Sequence, residues 1–323
     1  MSPLSPQTLV IDAEAEIERI VSAMRSQLRT QLRRRGLVLG LSGGIDSSVC
    51  AALAARAVGP ERVLALFMPE NDSDPESLSL GRRVADGLGI GAVVEDIGPT
   101  LAAMGCYERR DGFIRQLVPE FGAGWGCKVV IANALAGKGY AVSSLVVQSP
   151  DGDKRELRMS AEVYQGIIAA TNMKQRTRKQ MEYYHADRLN YAVIGTPNLL
   201  EYDQGFFVKN GDGAADLKPI AHLYKSQVYQ LAAHLGVPED IRRRPPTTDT
   251  WSMAQSQEEF YFSLPYDRMD LCLFGLNNGL DRAEVAGAAG LTSEQLDAVW
   301  TDIERKRVAT AYLHMAPLVM ERV

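Results

Sequence analysis

Residues 39–59 read LGLSGGIDSSVCAALAARAVG, an apolar run ending in glycines, an acid and hydroxyls, followed by an alanine-rich stretch. Glycines at 40, 43 and 44 let a backbone come close to an anion, and the amides of a loop entering a helix can hold phosphate. Ser42, Ser47 and Ser48 add hydroxyl donors. Asp46 repels a phosphate unless a cation stands between them, so Mg2+ is implied. A helix start lined with small capping residues is the plain structural alternative. The G-x-G-x-x-G dinucleotide pattern does not fit these glycines, and the Walker A lysine is missing. The implied ligand is a nucleoside triphosphate.

The elements that must position this loop follow from periodicity. Ile17, Ile20, Val21, Met24 and Leu28 recur at helical steps, which predicts an amphipathic helix from Ala13 to about Arg35. GLVLGLS (36–42) reads as a buried parallel strand and the alanine-rich stretch as a helix closed by Gly59. RVLALFMP (62–69), PESLSLGRRVADGLG (75–89) and AVVEDIG (92–98) continue as strand, helix and strand. Alternation of this kind builds an α/β fold, a doubly wound parallel sheet with helices on both faces, whose ligands sit at the carboxyl ends of the strands. The pattern loosens between about 105 and 160, where only a hairpin around Asp151-Gly152 is legible. It resumes with a helix over 161–189, the strand YAVIGT (191–196) and a helix closed by Gly236. A polar, proline-bearing stretch over 242–259 is too long for a simple connector, and residues from Leu264 onward read as small helices. Residues 1–265 are thus taken as the α/β domain with an insertion at about 105–160, and 266–323 as its helical C-terminal extension.

Composition excludes several classes. Of 323 residues 46% are hydrophobic and 23% charged, ordinary for a globular chain, and no apolar run reaches membrane-spanning length. The start has no basic segment followed by an apolar core, so a cytoplasmic location is expected. The net charge of −5 gives no general attraction to nucleic acid. The basic runs at 176–179, 242–244 and 305–307 read by themselves as solvated surface. Cys50, Cys106, Cys127 and Cys272 form no C-x-x-C pair, which argues against a zinc knuckle or a redox centre.

The string Ser42-Gly43-Gly44-Ile45-Asp46-Ser47 after a buried strand resembles the pyrophosphatase loop of N-type ATP pyrophosphatases, which adenylate an oxygen and let a nucleophile displace AMP. Downstream, NMKQRTRKQMEYYHA (172–186), GTPNLLEYDQGFFVKNGDGAADLKPI (195–220), LYKSQVYQLAAHLG (223–236) and PTTDTW (246–251) are similar, in order, to the motifs of NAD synthetases. The resemblance covers most of residues 10–265 outside about 105–160. It implies a Rossmann-like, adenine nucleotide alpha hydrolase-like fold. It further implies ATP at Gly40, Ser42, Gly43, Gly44, Asp46, Ser47, Ser48, Met68, Thr196, Lys225 and Thr247, with Mg2+ on Asp46 and Glu201. Arg176, Lys209, Asp216 and Lys306 would hold deamido-NAD, and Asp46, Lys209 and Lys225 would serve catalysis. At the family's C-terminal His-Lys pair this sequence has Arg305 and Lys306, and the residues between Thr196 and Glu201 differ from the usual ones.

The implied reaction is attack of the nicotinate carboxylate on the α-phosphorus of ATP, loss of pyrophosphate, and displacement of AMP by ammonia, with no covalent protein nucleophile. About 36 residues precede the first strand, too few for a glutaminase domain, so free ammonia or a separate glutaminase partner is expected. The resemblance and the apolar faces of the 13–35 and 161–189 helices lead to the expectation of a homodimer. Two other readings stay open at this point: ATP-dependent amidation of a different carboxylic acid, and a nucleotide-binding regulator without chemistry.

Overall fold

The computed structural model describes residues 3–131, 143–248, 250–262 and 264–321. Helix α1 (Ala13–Ser26) is started by Asp12, whose side chain accepts the Ala15 N–H. It ends sooner than its periodicity predicts: a wider turn over Gln27–Leu32 follows, and Arg33 takes a left-handed conformation. Strand β1 (Leu37–Gly40), α2 (Ile45–Val58), β2 (Val63–Phe67), α3 (Pro75–Leu88) and β3 (Gly91–Val94) then alternate as the sequence reading expects.

Two helices, α4 (Gly98–Ala103) and α5 (Cys106–Arg115), lead to strands β4 (Gly126–Ile131), β5 (Ser143–Gln148) and β6 (Lys154–Arg158). These strands form their own antiparallel sheet, in the order β4-β5-β6. The expected hairpin is therefore present, with Gly152 at positive φ in its turn. The sequence reading missed α5 and β4, and its first hairpin residues, 140–142, lie outside the described residues. Helix α6 (Ala161–Leu189) begins at Ser160, which accepts the Val163 N–H, and stops at left-handed Asn190.

Strand β7 (Ala192–Val193) is shorter than the predicted strand because Ile194 leaves the ladder to bridge Leu217. Helices α7 (Leu199–Gln204), α8 (Lys225–His234) and α9 (Glu239–Arg243) follow, and α10 (Tyr266–Asn277), α11 (Arg282–Ala289) and α12 (Ser293–His314) complete the chain. At 22 residues α12 is not one of the small helices expected there.

The main sheet is parallel, in the order β3-β2-β1-β7. Strands β1, β2 and β7 are apolar in continuous runs because both their faces are covered, whereas the edge strand β3 is mostly exposed. Leu37, Leu39, Ala65 and Phe67 pack with α1, α2, α3 and α8, whereas Val38, Leu66 and Val193 meet Ala186 of α6. The doubly wound α/β architecture is thus the observed one. From β1 the chain winds outward through β2 and β3, then returns to the other side of β1 with β7. The carboxyl ends of β1 and β7 therefore flank the point where winding direction changes, the place where such sheets leave a crevice. Among the described residues further apolar cores lie outside the sheet: one joins the inserted strands to α5, α6 and Trp251, one joins α10, α11 and α12 to Leu4, Leu9 and Leu200, and a small one holds Ile97, Leu101 and Cys106. Among the described residues no helix is long and apolar enough to cross a membrane.

Candidate active site

The crevice at the ends of β1 and β7 opens into a cavity of about 1220 Å3. Gly40, Ser42, Gly44, Asp46, Ser47, Met68, Thr196, Glu201, Thr247 and Lys306 line it, so most of the sequence-predicted residues converge. No side chain caps the first turn of α2, leaving its amides to a ligand. The hydroxyls of both Ser47 and Ser48 donate to the Gly44 carbonyl, at 3.0 and 2.8 Å, and only that of Ser47 also reaches the cavity wall. Ser42 and Ser47 sit 3.3 Å apart, hydroxyl to hydroxyl, at that wall. Ser48 is fully buried, so its hydroxyl serves the helix. Gly43 has φ +75°, and a Cβ there would stand 2.6 Å from that of Leu80. That glycine is demanded by the packing of the loop on α3.

Deeper in, Asp46 Oδ2 pairs with the Lys225 ammonium, and Asn198 Nδ2 donates to Asp46 Oδ1 at 3.2 Å. Glu201 is held by a reciprocal cap at the start of α7: its carboxylate accepts the Asn198 N–H at 3.1 Å, and its own N–H donates to Asn198 Oδ1 at 3.2 Å. Asn-x-x-Glu is a recognisable capping box, a signal that could have located this helix start from sequence. Burial, followed by the Asp46 charge, pushes the Glu201 carboxyl up to about 8. Burial pulls Lys225 down, but Asp46 and Glu201 outweigh it and leave the ammonium raised. One lysine thus serves two carboxylates, and the pair is short of positive charge.

An oxygen-only donor set with that deficit fits Mg2+, which commonly takes one or two carboxylates and completes its shell from phosphate and water. Among the described residues no group of three or more acidic, His or Cys side chains is placed to hold a metal alone.

The acceptor-side residues are less unified. Lys306 faces the cavity, donating to Asp302 and to the Tyr261 carbonyl, both at 2.6 Å. Arg176, Lys209 and Asp216 do not line it. Arg176 Nε donates to the Lys209 carbonyl at 3.2 Å, and Lys209 Nζ donates to the Tyr312 carbonyl at 2.6 Å. Asp216 ties β7 to α6, accepting the Val193 N–H at 2.8 Å and the Tyr183 hydroxyl at 3.3 Å.

In their place the wall carries residues the sequence reading did not select: Arg178, Lys179, Glu182 and Asp212. Lys179 and Glu182 form a buried pair at 2.6 Å, and Arg178 Nη2 is buried without a hydrogen-bond partner among the described residues. The basic run at 176–179 is therefore not simply solvated surface, because Thr177 and Lys179 are buried. The i,i+3 spacing of Lys179 and Glu182 on one helix was the available signal. Arg305 is exposed, and Asp249 of the 246–251 motif lies outside the described residues.

The family model described as NAD synthase matches residues 16–115 and 151–309. The NH(3)-dependent NAD(+) synthetase of Rhizobium rhizogenes is 70% identical over 322 residues, covering 100% of this chain and 97% of that protein. Among solved structures, an NMN synthetase from Francisella tularensis aligns with a TM-score of 0.66 at 22% identity, covering 96% of this chain and 99% of that one. An NH3-dependent NAD synthetase from Campylobacter jejuni aligns at 0.61 and 22% identity, covering 96% and 100%. At such identity the two structures establish the fold.

Proposed function

The chain belongs to the NAD synthase family, and from that premise we propose that it is an ATP-dependent, AMP-forming amide ligase, an ammonia-dependent NAD synthetase. The observation that carries the chemistry is the trio at the change of winding direction, in which Asp46 and Glu201 line the cavity of about 1220 Å3 and Lys225 lies fully buried behind them, paired with Asp46. The amides at the start of α2, with Ser42 and Ser47, receive the ATP phosphates, and Gly40, Met68, Thr196 and Thr247 supply the surrounding wall. Asp46 and Glu201 would hold Mg2+, which when bound offsets charge on the phosphates. Lys225 steadies Asp46 and adds positive charge where pyrophosphate departs.

The nicotinate carboxylate of deamido-NAD attacks the α-phosphorus, and ammonia then attacks the acyl-adenylate, releasing AMP and leaving the amide. Lys306 is the acceptor-side cation already in the cavity. Arg176, Lys209 and Asp216 contribute by shaping the neighbouring segments or by moving in when the acceptor binds. The protein acts as a homodimer in the cytoplasm, a setting in keeping with four free, buried cysteines.

The test is turnover of deamido-NAD with ATP, Mg2+ and either ammonium or glutamine. NAD and AMP should appear in equal amounts with ammonium. Turnover of other carboxylic acids but not deamido-NAD would end the proposal in favour of a different amidation.

A further inference from the structure

Strands β4 and β5 lie within residues 116–150, which the family model leaves unmatched, yet they touch the cavity wall through Ile131 and Ser143. They also hold the segment that carries Thr247. Ser252 Oγ accepts the Cys127 N–H at 2.9 Å, and the Met253 N–H reaches the Cys127 carbonyl at 3.3 Å. Gln255, itself buried, donates to the Val129 carbonyl. Lys128 Nζ donates to the Ala254 carbonyl at 3.2 Å and pairs with Glu259 at 2.6 Å. Trp251 is buried among Cys127, Val129, Leu145 and Val147.

On the opposite side the segment is tied to the main sheet. The ammonium of Lys174, fully buried, donates to the Thr250 carbonyl at 2.7 Å, and the same ammonium reaches Glu70 at 3.0 Å and Asp72 at 2.6 Å in the loop after β2. Thr247 itself bridges Ser256.

We propose that the inserted antiparallel sheet is a seat that holds residues 250–260, and through the Thr247–Ser256 bridge Thr247, against the cavity before nucleotide arrives. Polar contacts from three successive residues of β4, Cys127, Lys128 and Val129, and one anchoring indole fix a polar, proline-preceded segment. ATP then meets a finished wall, and the ordering cost that a loose segment would exact at binding has been met in folding. Ser252, Gln255 and Lys128 are positioning residues: they act on the nucleotide only through this segment. The assignment of the cavity to ATP rests on the function proposed above, whereas the seating itself does not.

Deleting the inserted strands would strip a shared core, so the contacts are the better target. In the full-length protein, the double variant Ser252→Ala/Lys128→Met keeps every buried apolar group. Glu120→Ala, which breaks the Arg155 pair on the same sheet, controls for general loosening. Amide hydrogen exchange without nucleotide should quicken roughly tenfold across 252–260 in the double variant and hold steady in the control. KM for ATP should rise by a similar roughly tenfold factor while kcat and KM for ammonium stay near the parent's. Fast exchange of 252–260 in the parent that slows only when ATP is added, or unchanged exchange in the double variant, overturns the seat. Faster exchange with no effect of ATP on the segment sustains the seat and instead counts against the assignment of ATP to this cavity.

Discussion

Adjacent glycines at the head of α2 do different work, and substitution separates them. At Gly43 an alanine meets both a positive φ and the Leu80 side chain, so Gly43→Ala should lose about 2 kcal/mol or more of stability. At Gly44, where φ is −81° and the only nearby atom is Ser42 Oγ at 3.3 Å, alanine should shift stability by no more than about 0.5 kcal/mol. Yet Gly44→Ala puts a methyl where phosphate must approach the amides, and ATP affinity should fall about tenfold or more. Urea midpoints and calorimetric ATP titration check both, and parent-like affinity in Gly44→Ala would remove the loop from the nucleotide site. Glu201 gives a pH signature. Its carboxyl holds a proton more tightly when folded, at about 8, than at its ordinary 4.5, so unfolding releases a proton between those values. Stability without added metal should therefore fall as pH rises through that window, by up to about 1.4 kcal/mol per pH unit. Glu201→Gln should flatten the slope. Adding Mg2+ near neutral pH should release protons from the parent and none from the variant, whatever the activity.

Helix α8 shows how one element places a reacting group through another. Its first N–H groups, those of Lys225 and Ser226, donate at 3.2 and 2.7 Å to Asp270, a fully buried residue of α10 whose carboxyl burial raises to about 6. Asp270→Ala orphans both donors and should cost about 1–3 kcal/mol, with a higher KM for ATP as Lys225 loosens. Asp270→Asn, which keeps one acceptor, should recover part of each loss in denaturation and steady-state assays. The helices and strands around the nucleotide were legible because apolar periodicity and glycine stops agree there: α6 begins and ends where its pattern does, at Ser160 and Asn190. Helix α5 was not, since it buries Cys106, Arg110 and Ile114 amid charges, with Arg110 paired to Asp72 at 2.5 Å, and a buried arginine reads from sequence as surface. The glycine and serine loop after β1, which lines the cavity, was legible because small residues and an acid follow a buried strand directly, whereas Thr196, Lys225 and Thr247 were reached only through the family resemblance. Of the further wall residues, Lys179 had a local signal in its i,i+3 spacing to Glu182, whereas Arg178 and Asp212 had none: which side of α6 faces the cavity, and that the turn after α7 reaches it, are decided by long-range packing.

At the scale of the whole molecule, the apolar stripe of α1 cannot supply a subunit contact, for Ile17, Ile20, Val21 and Met24 are buried within the main core of the same chain. Exposed apolar side chains collect elsewhere: Tyr312 near the end of α12, then Met315, Leu318, Val319 and Met320 beyond it. A single soluble subunit seldom presents a contiguous apolar group of this kind, and a two-fold axis could cover it with its own copy. The root of this tail is tied to Lys209, which the proposed function places toward the acceptor, because its ammonium donates to the carbonyls of Tyr312 at 2.6 Å and Met315 at 3.5 Å. Pairing of two tails would thus steady the segment that carries Lys209. Light scattering after gel filtration should find two chains for the parent and one for Leu318→Asp/Val319→Asp. The same variant should raise KM for deamido-NAD several-fold while KM for ATP, set at the far end of the cavity by the α2 loop, stays put. A parent that runs as a single chain at micromolar concentration, or a variant that dissociates with no change toward the acceptor, would break the link between assembly and acceptor binding.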